Sequence, residues 1–183
     1  MTYRPMFPAA LQPAASTLLR ALTDAELAPA TDDGFTVLVR GEQLSVPYRV
    51  YYAPHNLQSV IARSSGDTQA LALCLGTRHG SGYVREDCLR QLIGVDRPWV
   101  VPFVVQLLGE YVIEIVEAIA AGVSDADPES LSAFVRENPK FMATTKRRAT
   151  SYWNCYYRWR FRTLQSYPAY AALEAIEKMA RTS

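Results

Sequence analysis

The chain has 183 residues, 49% of them apolar, 20% charged and 11% aromatic. That much apolar material buries enough surface to offset the entropy of ordering, which excludes a disordered chain and points to one globular domain. Nineteen Lys and Arg against eighteen Asp and Glu leave a formal charge of +1, so no global field draws the chain to nucleic acid or an anionic membrane; such binding needs a local patch.

In Met1 to Phe7 the place of a signal peptide's apolar stretch holds Arg4 and Pro5, with Pro8 close behind, so the expectation is a cytoplasmic protein. Over 8–28, Leu11, Leu18, Leu19, Leu22 and Leu27 recur at roughly helical intervals and the pattern closes before Pro29, which predicts an amphipathic helix that Pro13 shortens at the front. After the polar Thr31-Asp32-Asp33-Gly34 the period becomes two. Phe35, Val37 and Val39, then Leu44, Val46, Tyr48, Val50 and Tyr52, alternate with polar residues, predicting a β-hairpin. Its turn, Arg40-Gly41-Glu42-Gln43, reads as type II′ with Gly41 first in a two-residue loop. Pro47 has no N–H for a ladder, so the second strand is expected at an edge, which offers a surface for a homodimer.

From Asp67 onward the segments have helical period, predicting helices over 67–76, 83–93, 98–121, 128–137, 140–163 and 168–181. Asp127-Pro128 and Tyr167-Pro168 read as helix starts, since proline is tolerated in a first turn. The expected fold class is mainly α (α+β): a helical bundle or short solenoid with one N-terminal β-hairpin. It forms a single domain over 1–183, with the helix and hairpin in 8–53 and the helical part in 67–181. The most apolar run, 98–121, carries Gln106, Glu110, Glu114 and Glu117, which makes it costly as a membrane span. Cys74, Cys88 and Cys155 are widely spaced in apolar surroundings and read as small core residues rather than a disulfide framework or zinc ligands.

The segment Tyr83-Val84-Arg85-Glu86-Asp87-Cys88-Leu89-Arg90-Gln91-Leu92, followed by Trp99-Val100-Val101-Pro102-Phe103, resembles the HEAT class of helical repeats over 67–121. Cys88 takes the small position and Leu92 the later apolar one, whereas His79 stands where the family has Asp. The resemblance implies a HEAT-like binding scaffold, usually for protein and sometimes for nucleic acid, with no chemistry of its own. Other elements would have to cap so short a repeat array.

Two stripes stand out. A 98–121 helix would gather Gln106, Glu110, Glu114 and Glu117 on one face. Lining a cavity, these carboxylates would bind metal or act as acid and base, but without a Glu-x-x-His partner helix the expectation is no metal and no cofactor. A 140–163 helix would put Phe141, Ala149, Tyr152, Tyr156 and Trp159 on a core-like face and Arg147, Ser151, Arg158 and Arg162 on another. Arginine with exposed rings is what single-stranded nucleic acid uses. Here the rings read as core, and the Glu and Arg faces are expected either to pair, as Glu114 with Arg158, or to meet a partner. Arg78, His79, Ser81 and Arg85 form a candidate anion site at the start of the 83–93 helix, whose N-terminus favours negative charge.

No catalytic constellation of a known type appears. The leading expectation is therefore a non-catalytic protein-binding module. It would be an adaptor, or an inhibitor that covers its partner as small bacterial immunity proteins do, using Arg147, Arg158, Arg162, Glu110, Glu114 and Glu117. The alternatives are nucleic-acid binding through 140–163 and an enzyme built on His79 or the Glu110/Glu114/Glu117 stripe.

Overall fold

The computed structural model describes residues 5–23 and 33–182; the expected close of the first helix before Pro29, and Thr31 and Asp32, lie outside them. It is mainly helical with one two-stranded antiparallel hairpin among the described residues, as the periodicities predict. The contacts cluster into two compact units, Met1–Leu92 and Ile93–Ser183.

In the first unit a short 3-10 turn, Ala9–Leu11, leads into α1 (Gln12–Thr23). Pro13 sits in the first turn, where its missing N–H has no intrahelical partner to lose. Ala15, Leu18 and Leu22 form the buried stripe. The hairpin pairs β1 (Gly34–Val39) with β2 (Glu42–Pro47), Phe35 opposite Val46 and Val37 opposite Leu44. Its loop is Arg40-Gly41, with φ +51° and +80°. Two successive positive φ values make it type I′, not the expected II′ one residue later; the I′ twist suits the strands and needs glycine at only one position.

β2 also ends earlier than the alternation through Tyr52 suggests. Pro47 already faces Gly34, the first residue of β1, and one further bond, from Tyr48 N–H to the Asp33 carbonyl at 3.0 Å, closes the ladder. Val50 turns instead to another segment: its N–H donates to the Arg78 carbonyl at 2.9 Å and its carbonyl accepts from Gly80 N–H at 3.1 Å. The outer side of the hairpin is partly covered, since Ser45 N–H donates to the Pro5 carbonyl.

A helix unforeseen in the sequence, α2 (Pro54–Arg63), follows, with Leu57 and Ile61 buried. Two core residues in ten give too faint a stripe to mark it in advance. α3 (Gly66–Gly76) packs on α1, α2 and α4 (Gly82–Leu92). Every residue from Ala70 to Gly76 is buried, as befits a helix apolar all round. A Cβ added at Gly76 would lie 2.2 Å from Cys88 Sγ, so glycine sets how closely α3 and α4 pack.

In the second unit the expected 98–121 helix is broken. A 3-10 turn (Pro98–Val100), α5 (Val101–Val105) and a second 3-10 turn (Gln106–Gly109) precede extended Glu110, and α6 (Ile113–Gly122) begins afresh. Gly109 explains the break: it is buried against α8 (Pro139–Tyr152), where a Cβ would meet Thr145 Cγ2 at 3.3 Å and Arg148 Cβ at 3.4 Å. The close packing favours glycine there, and glycine weakens a helix interior. α7 (Pro128–Glu137) starts as predicted, capped by Asp127, whose carboxylate accepts from Glu129 N–H and Ser130 N–H. α9 (Pro168–Thr182) also starts as predicted and packs on α6, α7 and α8.

Candidate functional site

The Arg and aromatic segment begins in α8, where Met142, Thr145 and Ala149 face inward against the 106–109 turn. Past Tyr152 the helix widens into a π turn, Trp153–Tyr157, and residues 158–160 form a turn. One α-helical residue subtends about 100°, so a local change of pitch rotates everything downstream off the α register. The expected buried face therefore does not persist. Tyr156 is 59% and Trp159 81% exposed, and Tyr111, in the bend before α6, is 54% exposed. Cys155, expected in the core, is exposed on the same turn, while Cys74 and Cys88 are buried as expected.

A rigid frame holds these rings. Tyr157 hydroxyl donates to the Tyr111 carbonyl, and its ring stacks on that of buried Tyr167 at 5.7 Å and 17°. Phe161 packs on Tyr167 from another side at 5.6 Å. Trp153 Nε1–H donates to the Phe161 carbonyl at 2.8 Å, closing the turn on itself, and Thr163 and Ser166 cap the next 3-10 turn reciprocally. Tyr152 lies 6.1 Å from the Tyr111 ring and stacks on Tyr156 at 6.2 Å. Such ring pairs each contribute about 0.5 to 1.5 kcal/mol beyond area burial. Burial, with the Glu114 charge second, pushes the Tyr157 phenol above its usual pKa; burial pushes that of Tyr167 much further.

The arginines flank this frame. Arg158 lies 5.3 Å from the Trp153 ring and donates to Asn154 Oδ1 at 3.1 Å. Arg160 sits over Phe161 and pairs with Glu117 at 2.7 Å. Arg162 is exposed, and Arg147 is exposed with a hydrogen bond to Thr144 Oγ1. The Glu and Arg segments thus do meet, at Glu117 and Arg160 rather than Glu114 and Arg158. The expected carboxylate stripe does not exist as one face: Gln106 and Glu110 are buried in the broken stretch, while Glu114 is exposed on α6.

The Arg78, His79, Ser81, Arg85 group forms a different arrangement in the first unit. Arg78, His79 and Arg85 are buried. Ser81 N–H donates to His79 Nδ1 at 2.9 Å, so Nε2 carries the proton and donates to the Tyr52 carbonyl at 2.8 Å. Arg85 Nη1 donates to the carbonyls of His79 and Gly80 at 2.9 and 3.0 Å. Arg78 Nε–H donates to Thr77 Oγ1. These donors, expected to face an anion, are turned onto the chain itself and tie the 77–81 turn to Val50 and Tyr52.

Burial pushes the Cys88 thiol up to about 12 and the Cys74 thiol well above 9.0, which leaves both in the inert thiol form at neutral pH. Among the described residues no His, Cys, Asp and Glu group of three or more is gathered to hold a metal ion, and no helix is long and apolar enough to cross a membrane.

Tyr111, Tyr157 and Tyr167 are the residues of this candidate site that periodicity misses: Tyr111 is exposed, Tyr157 half-buried and Tyr167 buried beneath it. One signal was available for the region as a whole: from Asn138 to Leu173 the chain has seven Lys or Arg and no Asp or Glu. No family model, curated protein or solved structure matches the chain.

Proposed function

We propose that the protein is a non-catalytic binding module whose Tyr111, Tyr156, Trp159 and arginine surface covers a specific protein partner, as an adaptor or an inhibitor of the immunity type. The observation that carries this is the exposure of Trp159 and Tyr156 on a turn whose other rings are half-buried around buried Tyr167 and tied by hydrogen bonds. A lone exposed ring is ordinary; several together beside arginines have the composition of interface hot spots. Rigid presentation lowers the ordering cost of association. The α3–α4 pair is compatible with a HEAT-like scaffold beneath such a function, and three unbridged cysteines fit a reducing cytoplasm.

The test is affinity capture by the tagged full chain from native lysate, at low and high salt and with and without nuclease, comparing wild type with Trp159→Ala. The expected result is a stoichiometric protein retained at high salt and reduced about tenfold or more by the substitution, with thermal melting unchanged. Equal recovery by both chains overturns the proposal. A second reading, single-stranded nucleic-acid binding, is favoured by exposed Arg158 and Arg162 beside exposed rings; nuclease-sensitive, salt-labile recovery would select it.

A further inference from the structure

We infer that the segment this surface receives is an acidic stretch of a protein chain, its carboxylates taken by Arg158 and Arg162 beside the rings of Tyr156 and Trp159; this rests on the interaction reading above. The cationic stretch Asn138 to Leu173 contains no carboxylate of its own. Carboxylates of other helices neutralise some of its cations: Lys146 is bound by Glu174 and Glu177 of α9, and Arg160 by Glu117 of α6. Arg147 and Arg158 have neutral hydrogen-bond partners, Thr144 and Asn154. Among the described residues neither these two nor Arg162 has a carboxylate within ion-pairing distance.

A guanidinium is a planar fork that matches a carboxylate in bidentate fashion and keeps its edge available while its face stacks on a ring. Arg158, seated over Trp153, is held in that posture. An incoming carboxylate would therefore meet an arginine already oriented.

The border of the surface favours a short acidic segment over a nucleic-acid backbone. Glu117 lies on Arg160, and exposed Glu114 is close enough for its charge to act on Tyr157. A long polyanion crossing the patch would run against these fixed negative charges, since nucleic-acid sites combine their rings with an uninterrupted positive groove.

The experiment is selection of short random peptides on the immobilised full chain, followed by anisotropy titration of the selected peptides and of a labelled oligothymidine of about 20 nucleotides. The wild type should enrich Asp and Glu next to apolar residues. The double variant Arg158→Glu/Arg162→Glu should weaken those peptides by on the order of tenfold and enrich Lys and Arg in a fresh selection. Trp159→Ala should lose both sets, and all variants should keep the wild-type melting temperature. Selected peptides that depend on Trp159 but carry no acidic bias overturn this inference and leave the interaction reading standing. Absence of any Trp159-dependent peptide, together with unchanged capture of native protein by Trp159→Ala, overturns both. Oligothymidine that binds more tightly than the peptides and displaces them overturns the choice of a protein segment.

Discussion

The Arg78–Arg85 turn of the first unit and the Tyr152–Arg162 segment of the second are built from similar polar and cationic side chains near helix ends, yet they put those groups to opposite uses. In the first, Arg85 and His79 are buried, with Arg85 Nη1 and His79 Nε2 donating to carbonyls of the 79–80 turn and of Tyr52. In the second, carbonyl and carboxylate partners reach Trp153, Tyr157 and Arg160, while Arg158, Arg162, Tyr156 and Trp159 are exposed. What separates the buried cations from the exposed ones is thus whether acceptors converge on them from within the fold. Burying a charge is costly unless they do.

The largest expected effect is alkaline unfolding. In the folded chain burial raises the pKa values of Cys74 and Cys88 in one unit and of Tyr157 and Tyr167 in the other. Because each folded pKa lies above its unfolded value, the native state binds more protons in that window and stability falls as pH rises. The loss should begin near 9.0, the ordinary thiol value, and continue towards about 12, where Cys88 titrates in the native state; the tyrosines add to it from 10.0 upward. Urea unfolding at stepped pH measures this by circular dichroism, while the fluorescence of Trp99, Trp153 and Trp159 follows the second unit alone. Cys88→Ala should flatten the profile between pH 9 and 10. A stability profile flat to pH 11 would break the claim that buried protonated groups sustain both units.

Next in size, Arg85→Met should cost about 2 to 4 kcal/mol in urea unfolding, because two carbonyls in the 79–80 turn lose a charged donor while the new side chain fills much of the space. Peptide binding should not change. If the substitution instead lowers binding and leaves stability alone, the contrast between the two regions is wrong at its root. Tyr157→Phe is smaller, about 1 kcal/mol, since it removes one hydrogen bond to the Tyr111 carbonyl and keeps the stack on Tyr167. Its informative readout is binding: freed from that bond, the Tyr111 bend should present its ring less rigidly and affinity should fall by a few-fold.

Much of this architecture was legible in the sequence because it depends on local signals. The two-residue period of 35–39 and 44–46 gave the hairpin, and the pairs Asp127-Pro128 and Tyr167-Pro168 marked helix starts that the structure has. The apolar run 98–121 was misread because its continuous hydrophobicity hides the break at Gly109, whose cause is the neighbouring Thr145 and Arg148. That contact is long-range and leaves no mark on periodicity beyond the glycine itself. The same holds at the candidate site. The positions of the arginines and rings were visible, but projecting them on an ideal helix assumed one pitch throughout. The π turn at 153–157 breaks that assumption and carries Tyr156 and Trp159 from an expected core face to the surface.

The smallest effect on stability should come from Trp159→Ala, and this asymmetry is the sharpest test of the comparison. At 81% exposure the indole buries little against its own chain, so its removal forfeits little transfer free energy and the melting temperature should move by no more than that of an ordinary surface substitution, within about 0.5 kcal/mol. Interface energy, by contrast, concentrates in such rings once a partner desolvates them, and truncating one typically costs 2 kcal/mol or more, roughly thirtyfold in affinity. A stability loss of the size expected for Arg85→Met would mean that Trp159 is packed in solution and belongs to the core. A negligible loss of stability with a large loss of binding would mean that the second unit holds this ring at the surface for a partner.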